Sequence, residues 1–383
     1  MKILQIIYSL SSGGAERFVV DLSNELKNLG EEVYLTTIKY KNSESDTFYL
    51  HDLSSDVEII NLESKTKYSL KGFLKNYYLV YRMKPDVVHL HLNLALINFI
   101  LPILFLRRKT VYVQTLHNKA ENYKNKTLSF FLMKFLYSLN LVKLITISAD
   151  NDKSFERVFN RKSDTVIING RAKMQKTNLF DITNKEINKL KQTKNTIIFL
   201  HIARCAPQKN QKLLISAFNK FIENGEDAIL LIIGSGYDTK EGENLKSISN
   251  NNIFYLGPKQ NVADYYFLSD AFCLSSLYEG MPITLIEALA CGITPISTPV
   301  SGVIDIINDG VPCYISSDFS VNSYYNALNK YILKRNNIDN KLFTRYYENN
   351  LSMDNCATKY LNFYKNCINK TKSRKTFSIF TIK

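Results

Sequence analysis

The chain has 383 residues, an apolar fraction of 45% and a formal net charge of +14, so it exceeds the size at which one core keeps growing and two domains are expected. Its six cysteines, Cys205, Cys273, Cys291, Cys313, Cys356 and Cys367, show no CxxC pair and no metal-ligand spacing; no metal site is expected, and they read as buried thiols of a reducing compartment. The opening MKILQIIYSL is too short an apolar run for a signal peptide and breaks into Ser11 and Ser12, so it reads as the first strand of a cytosolic domain.

Short β-branched runs alternate with helix-period stretches along the first half. Ile3 to Tyr8, Val33 to Thr37, Val57 to Ile60, Val87 to Leu90, Val111 to Leu116, Leu144 to Ser148 and Val166 to Ile168 read as strands; Glu16 to Asn28, Leu70 to Met83 and Leu128 to Leu139 read as helices. This alternation predicts an α/β fold, a parallel sheet with helices on both faces. The first strand runs into Ser11-Ser12-Gly13-Gly14-Ala15-Glu16, a Gly-rich loop feeding a helix without the G-x-G-x-x-G spacing of a dinucleotide fingerprint, which disfavours NAD.

From Asn61 to Ile145 there are fourteen Lys or Arg against only Glu63, Asp86 and Glu121, in a stretch rich in Phe, Tyr and Leu. A basic, aromatic surface suits an acidic partner, and an anionic membrane surface met through residues 65–143 is expected rather than nucleic acid; the bland alternative is a solvated lysine-rich face. Within it, Leu92 to Leu106 is 15 residues long and strongly apolar but contains Asn93, Asn98 and Pro102. A span wants about 20 apolar residues, so a buried or membrane-surface helix is predicted. His117 closes the fifth strand, at the edge where open α/β sheets bind ligands, although a lone histidine is more often structural.

Lys173 to Asn195 is polar and lysine-rich with little to bury, and the linker is placed at 176–195, between an N-terminal domain 1–175 and a C-terminal domain 196–352. Strands repeat at Ile197 to Ile202, Ile229 to Ile233, Ile253 to Leu256, Ala271 to Leu274 and Thr294 to Ser297, giving a second doubly wound domain. The first of these runs into Arg204 and Lys209, which bracket a turn and could reach one diphosphate, one as a planar fork and the other as a point charge. The next ends in Gly234-Ser235-Gly236. A helix over Met353 to Asn369 is expected to complete the N-terminal domain, followed by a loose basic tail, 370–383.

LSSLYEGMPITLIEALACG, Leu274 to Gly292, carries the most information. Pro282 is pre-set for a first helical position, so free backbone N–H groups gather just after Gly280, where anionic oxygen is welcome. Glu279 precedes that helix and Glu287 lies about one turn inside it. Eight residues at 1.5 Å rise would separate the two carboxylates by up to roughly 12 Å, too far for the acid/base pair of a glycosidase, which needs about 5 to 9.5 Å. One Glu on a sugar and the other on a ribose, with diphosphate between, fits better than hydrolysis.

Taken in order, these features resemble the retaining GT-B glycosyltransferases of the group 1 family, which use nucleotide sugars. The resemblance runs through the Gly13-Gly14-Ala15-Glu16 loop, His117, Ile147-Ser148, Asn169-Gly170, Arg204 with Lys209, Gly234-Ser235-Gly236, Leu256-Gly257, and the E-x7-E block from Glu279 to Glu287 followed by Ala288 and Gly292. It implies a GT-B architecture, two Rossmann-like domains facing across a cleft, with the acceptor on the first and the nucleotide sugar on the second. It further implies that Arg204 and Lys209 neutralise the donor diphosphate, that Gly14 and main-chain groups of Met281, Thr284 and Leu285 complete its cradle, that Glu287 with Gly280 takes the ribose, and that Glu279 and His117 address the transferred sugar. Cys205 and Ala206 depart modestly from the family pattern, and the doublet His89 and His91 has no assigned role. The activity implied is a metal-independent, retaining hexosyltransfer without a cofactor, the nucleotide-diphosphate sugar being co-substrate, to a polysaccharide or lipid-linked saccharide at the cytoplasmic face of the plasma membrane. A nucleotide-sugar epimerase and a non-catalytic sugar-binding scaffold are the alternatives.

Overall fold

The computed structural model describes residues 1–39, 44–123, 128–308 and 310–380, the side chains at 44, 45, 305, 307, 308 and 372–380 excepted. Residues 124–127 of the basic stretch and 381–383 of the tail therefore lie outside the described residues. The chain forms two compact units, Met1–Ala172 with Ser352–Lys383, and Lys173–Leu351.

The first unit holds seven strands: β1 (Lys2–Ile7), β2 (Glu32–Lys39), β3 (Glu58–Ser64), β4 (Val87–His91), β5 (Val111–Leu116), β6 (Lys143–Thr146) and β7 (Thr165–Val166). They are parallel, in the order β3-β2-β1-β4-β5-β6-β7. The central strands are buried on both faces, as a parallel sheet covered by crossover helices must be, which is why their sequences read as continuous β-branched runs rather than alternating ones.

Helix Met353–Phe380 returns to this unit and packs on helix Gly14–Asn28 and on β5, and its backbone continues as helix through most of the segment expected to be a loose tail. The crossing is tight: a Cβ on Gly170 would stand 2.6 Å from Cys356 Cβ and 2.7 Å from the Ser352 carbonyl oxygen. Asp21, on helix Gly14–Asn28 and only 2% exposed, ties the exit strand down. Its Oδ2 accepts from Arg171 at 2.7 Å and its Oδ1 from Arg17 at 2.5 Å, while the Met353 N–H donates to the Arg171 carbonyl.

Leu92 to Leu106 is not one helix. It breaks at Phe99 into Leu92–Asn98 and Ile100–Leu106. Pro102 has no N–H to give the Asn98 carbonyl one turn earlier, and the Asn76 amide fills that role at 2.8 Å. Among the described residues no helix is long and apolar enough to cross a membrane.

The second unit holds β8 (Ile197–Ile202), β9 (Ala228–Ile233), β10 (Ile253–Gly257), β11 (Ala271–Leu274), β12 (Thr294–Ser297) and β13 (Tyr314–Ile315), parallel in the order β10-β9-β8-β11-β12-β13. The two-residue β13 is too short to leave a sequence pattern. The segment expected to link the domains is not a bare connector: helix Phe180–Leu190 buries Thr183 and Ile187 against helix Val262–Phe267. Just upstream, Asp264 accepts from the Thr177 N–H at 2.7 Å and from its hydroxyl at 2.5 Å. Both sheets are thus Rossmann-like, with strand order reversing between β1 and β4 and between β8 and β11, the positions whose carboxyl ends offer a ligand crevice.

Asp21→Ala is expected to lower the stability of the first unit by about 3 kcal/mol, because it strands a buried guanidinium. Urea unfolding followed by hydrogen exchange within residues 1–172 checks this; an unchanged midpoint would remove Asp21 from the list of structural anchors.

Candidate functional site

In the second unit the predicted residues gather at the carboxyl ends of β8, β9, β11 and β12. β8 ends at Ile202, and Arg204 stands exposed two residues on, with no carboxylate partner among the described residues. The turn that follows is held open rather than packed: the Tyr237 hydroxyl donates to the Ala203 carbonyl at 3.1 Å, the Gln211 amide to the Arg204 carbonyl at 2.9 Å, and the Cys205 N–H to the Ser235 carbonyl at 2.8 Å. Gly234 is required there. Its φ is +149°, and a Cβ would lie 2.0 Å from the Ala203 carbonyl oxygen.

Lys209 ends the short turn Pro207–Lys209, and its Nζ donates to Glu279 Oε1 at 2.5 Å. Ser276 Oγ donates to the same carboxylate oxygen at 2.8 Å, and Ser301 Oγ to the Glu279 carbonyl at 2.8 Å. Glu279 is thereby oriented by three side chains from three loops. Helix Ile283–Ala290 begins one residue later than expected. Pro282 is its N-cap, with φ −70° and ψ 126°, because its ψ is extended rather than helical. No side chain caps that helix; the Leu285 N–H donates to the Pro282 carbonyl at 3.1 Å, which leaves the amides of Ile283 and Thr284 to another acceptor. Met281 and Leu285 are buried, so what they can offer a ligand is main chain, and Thr284 is half-buried with its carbonyl 2.9 Å from the Tyr266 hydroxyl. Glu287, 5% exposed, has its Oε2 3.1 Å from the same hydroxyl, whose single proton the two acceptors share. The two glutamates therefore sit in separate surroundings.

Sequence alone does not single out Tyr266, Ser276, Ser301 or Gly302. A Cβ on Gly302 would lie 2.1 Å from the Gly280 carbonyl oxygen, so the loop after β12 rests directly on the turn before the helix. The rule that ligands sit at strand carboxyl ends would have flagged Ser301 and Gly302; nothing flags Tyr266, which reaches Glu287 from another helix.

In the first unit, Gly14 opens helix Gly14–Asn28 after β1, with Gly13 as an N-cap that offers no side chain. The Glu16 carboxylate folds back over it, 2.2 Å from where a Gly13 Cβ would be, and faces the Ser11 hydroxyl at 3.5 Å. Phe18 of that helix packs edge-on against His117, ring centroids 5.4 Å apart. His117 follows β5, half-buried, its Nε2 3.1 Å from His91 Nδ1. His91 Nε2 lies 2.8 Å from Gln5 Oε1. His89, its ring 4.0 Å from that of His91, bonds the Thr115 hydroxyl at 2.8 Å and the Tyr364 hydroxyl at 2.7 Å. Burial pushes His89 and His91 well below the usual histidine range and His117 down to about 3. Among the described residues no three His, Cys, Asp or Glu side chains gather to hold a metal ion.

These depressed values have a signed consequence. Each ring takes its proton only on unfolding, so the unfolded chain binds more protons below about pH 6.5, and each such ring removes about 1.4 kcal/mol of stability per pH unit as the pH falls. The first unit carries three of them; the second carries His201 alone, pushed down to about 4 by burial. The first unit should therefore open before the second between about pH 6.5 and pH 4. Peptide-resolved hydrogen exchange, corrected for intrinsic rates, checks the order.

The two units match two family models in turn: Glycosyltransferase Family 4 over residues 12–171 and Glycosyl transferases group 1 over residues 182–350. An uncharacterized glycosyltransferase of Methanocaldococcus jannaschii is 29% identical over 60% of this chain, the match spanning 59% of that protein. An α-1,4-N-acetyl-D-galactosaminyltransferase of Campylobacter jejuni, named for a saccharide-PP-undecaprenol substrate, is 27% identical over 81% of this chain and 82% of its own. Among solved structures, the Anabaena protein HepE, crystallised with UDP and glucose, superposes with a TM-score of 0.80 over 96% of this chain and all of its own at 15% identity, a likeness of fold. The first unit thus carries the Family 4 glycosyltransferase match and the second the group 1 match, on the two-sheet fold of the GT-B glycosyltransferases.

Proposed function

We propose that the chain is a retaining, metal-independent glycosyltransferase that moves a hexosyl unit from a nucleotide-diphosphate sugar to a polysaccharide or lipid-linked saccharide, as a peripheral protein at the inner face of the plasma membrane. The observation that carries this reading is the Lys209–Glu279 pair standing before a helix whose first turn is uncapped. Without donor, cation and carboxylate satisfy each other. A diphosphate arriving at the helix mouth draws Lys209 and Arg204 to itself and releases Glu279 for the sugar.

The chemistry follows from charge. Cleaving the anomeric C–O bond builds oxocarbenium character on the sugar and negative charge on the departing diphosphate. Two fixed cations and a helix N-terminus stabilise that charge without a metal. Glu287, buried and oriented by Tyr266, suits a pair of ribose hydroxyls, and main-chain groups near Gly14 add to the phosphate cradle. Retention follows if the acceptor attacks from the face the diphosphate leaves, the leaving phosphate oxygen taking the acceptor proton. His117 then bonds a hydroxyl of the sugar.

The membrane part of the reading rests on two exposed stripes in the first unit. On helix Leu70–Met83, Leu70, Leu74, Tyr78 and Tyr81 are exposed at helical spacing beside Lys71, Lys75 and Arg82; on and just after helix Leu128–Ser138, Leu128, Phe131, Phe135 and Leu139 repeat the pattern around Lys134. Phe105, 69% exposed, precedes Arg107, Arg108 and Lys109. Apolar side chains rimmed by cations suit an anionic bilayer surface.

Arg204→Met and Lys209→Met should each weaken donor binding about 10- to 100-fold, the loss of one charge-assisted contact. Calorimetry with UDP-, GDP- and ADP-linked hexoses reads this, and no heat with any of them would end the donor assignment. Acceptor-dependent nucleotide release supports transfer, whereas isomerisation without acceptor would favour the epimerase. Separately, Lys71→Glu with Arg82→Glu should lower flotation with vesicles of anionic lipid at least tenfold, at about 1 kcal/mol per cation removed; unchanged flotation would cancel the membrane contact.

A further inference from the structure

Three histidines lie at the carboxyl ends of β4 and β5, and the sugar-binding reading uses only His117. His89 and His91, two apart on β4, project from the same face of the sheet, the face that Tyr360 and Tyr364 of the C-terminal helix cover. Gln5 sits on the neighbouring strand, in register with His89. Gln5 and His91 are both fully buried. A polar residue at such a position requires a partner, and here the partners form a directed chain.

The direction can be read from Gln5. Its Oε1 can only accept, so the His91 nitrogen 2.8 Å away, Nε2, carries the ring's hydrogen. A neutral imidazole has one N–H, which leaves His91 Nδ1 as a bare lone pair. That lone pair faces His117 Nε2 at 3.1 Å, so His117 must donate through Nε2. His117 Nδ1 is then bare in its turn, and among the described residues no group bonds it. Phe18 packs against both rings and limits their rotation, with centroids 6.2 Å from His91 and 5.4 Å from His117. His89 stands outside the chain. Its two nitrogens are taken by Thr115 and Tyr364.

We infer that His91 is a positioning residue which, together with Gln5, fixes His117 as the Nε2–H tautomer, so that the site offers its ligand a hydrogen-bond acceptor. Resting on the sugar-site reading, this narrows what can sit against His117. A ligand hydroxyl can donate to bare Nδ1; a phosphate, carboxylate or carbonyl oxygen at the same place would meet a lone pair. A donor sugar that lacks that hydroxyl, or carries a carboxylate there, should be rejected.

The test reads the tautomer directly. With histidine labelled by 15N, long-range 1H–15N correlations in the wild-type protein should show His117 protonated on Nε2 alone. In His91→Phe and in Gln5→Leu the His117 signal should become a mixture of both tautomers, whereas His89→Phe, which removes an equally buried ring outside the chain, should leave it unchanged. A wild-type His117 protonated on Nδ1, or one that keeps its single tautomer in His91→Phe, would overturn the relay. The wild-type measurement stands even if a variant does not fold. With whichever of the UDP-, GDP- and ADP-linked hexoses turns over, His91→Phe should lower kcat about tenfold, one hydrogen bond at the sugar, with His89→Phe within about twofold of wild type. If the tautomer is fixed as stated and none of those nucleotides moves the His117 signal, the relay holds and the sugar-site reading is what fails.

Discussion

Parallel strands cannot be joined by a tight turn; each must be followed by a crossover that carries the chain back over a face of the sheet. In both units that requirement sends every loop of consequence to the same edge. The Gly13-Gly14 turn, His91 and His117 follow β1, β4 and β5; Arg204, Gly234, Glu279 and Ser301 follow β8, β9, β11 and β12. Within each unit, residues far apart in sequence thus gather because the backbone allows no other exit, and the order reversal beside β1 or β8 leaves room for a ligand between that unit's diverging helices. The chemistry falls on loops and on a few polar side chains near strand ends, while the central strands beneath stay largely apolar and buried on both faces.

The charged groups of the second unit show how such an edge balances its own charge. A lone lysine beside an uncapped helix start would be an unfavourable neighbour, since both present positive potential. Glu279 resolves this by accepting from Lys209 and Ser276, and Ser301 fixes its backbone. Glu287 is handled differently: it is withdrawn from solvent and meets the Tyr266 phenol. One carboxylate is thus exchangeable and the other is set, as their different proposed partners demand.

Much of this was legible in the sequence, and the remainder was hidden for identifiable reasons. β5, β8, β11 and β12 fall where short, mostly apolar runs put them, because burial on both faces favours such composition. The E-x7-E block was readable because its elements are local. The break at Phe99 was not, since it depends jointly on Pro102 and on an amide at Asn76, more than twenty residues away. Pro282 was assigned one position too far into its helix, a distinction that turns on ψ rather than on residue type. Tyr266 left no trace, because its partner Glu287 lies on a different helix. Gln5, His89 and His91 did leave one: three polar side chains in otherwise apolar strands are an inconsistency that local pattern cannot explain, and such inconsistencies tend to mark functional or strained positions.

The hydroxyls that close over His89 and Thr115 belong to Tyr364 and Tyr360, 275 and 245 residues further along the chain. During synthesis the first seven strands leave the ribosome long before their cover exists. At about 5–20 residues per second the intervening unit delays it by on the order of ten to forty seconds. Through that interval the nascent sheet has His89 without its Tyr364 partner and an apolar flank without its helix. The early half of the chain therefore completes its packing only once the helix that starts at Met353 has been made.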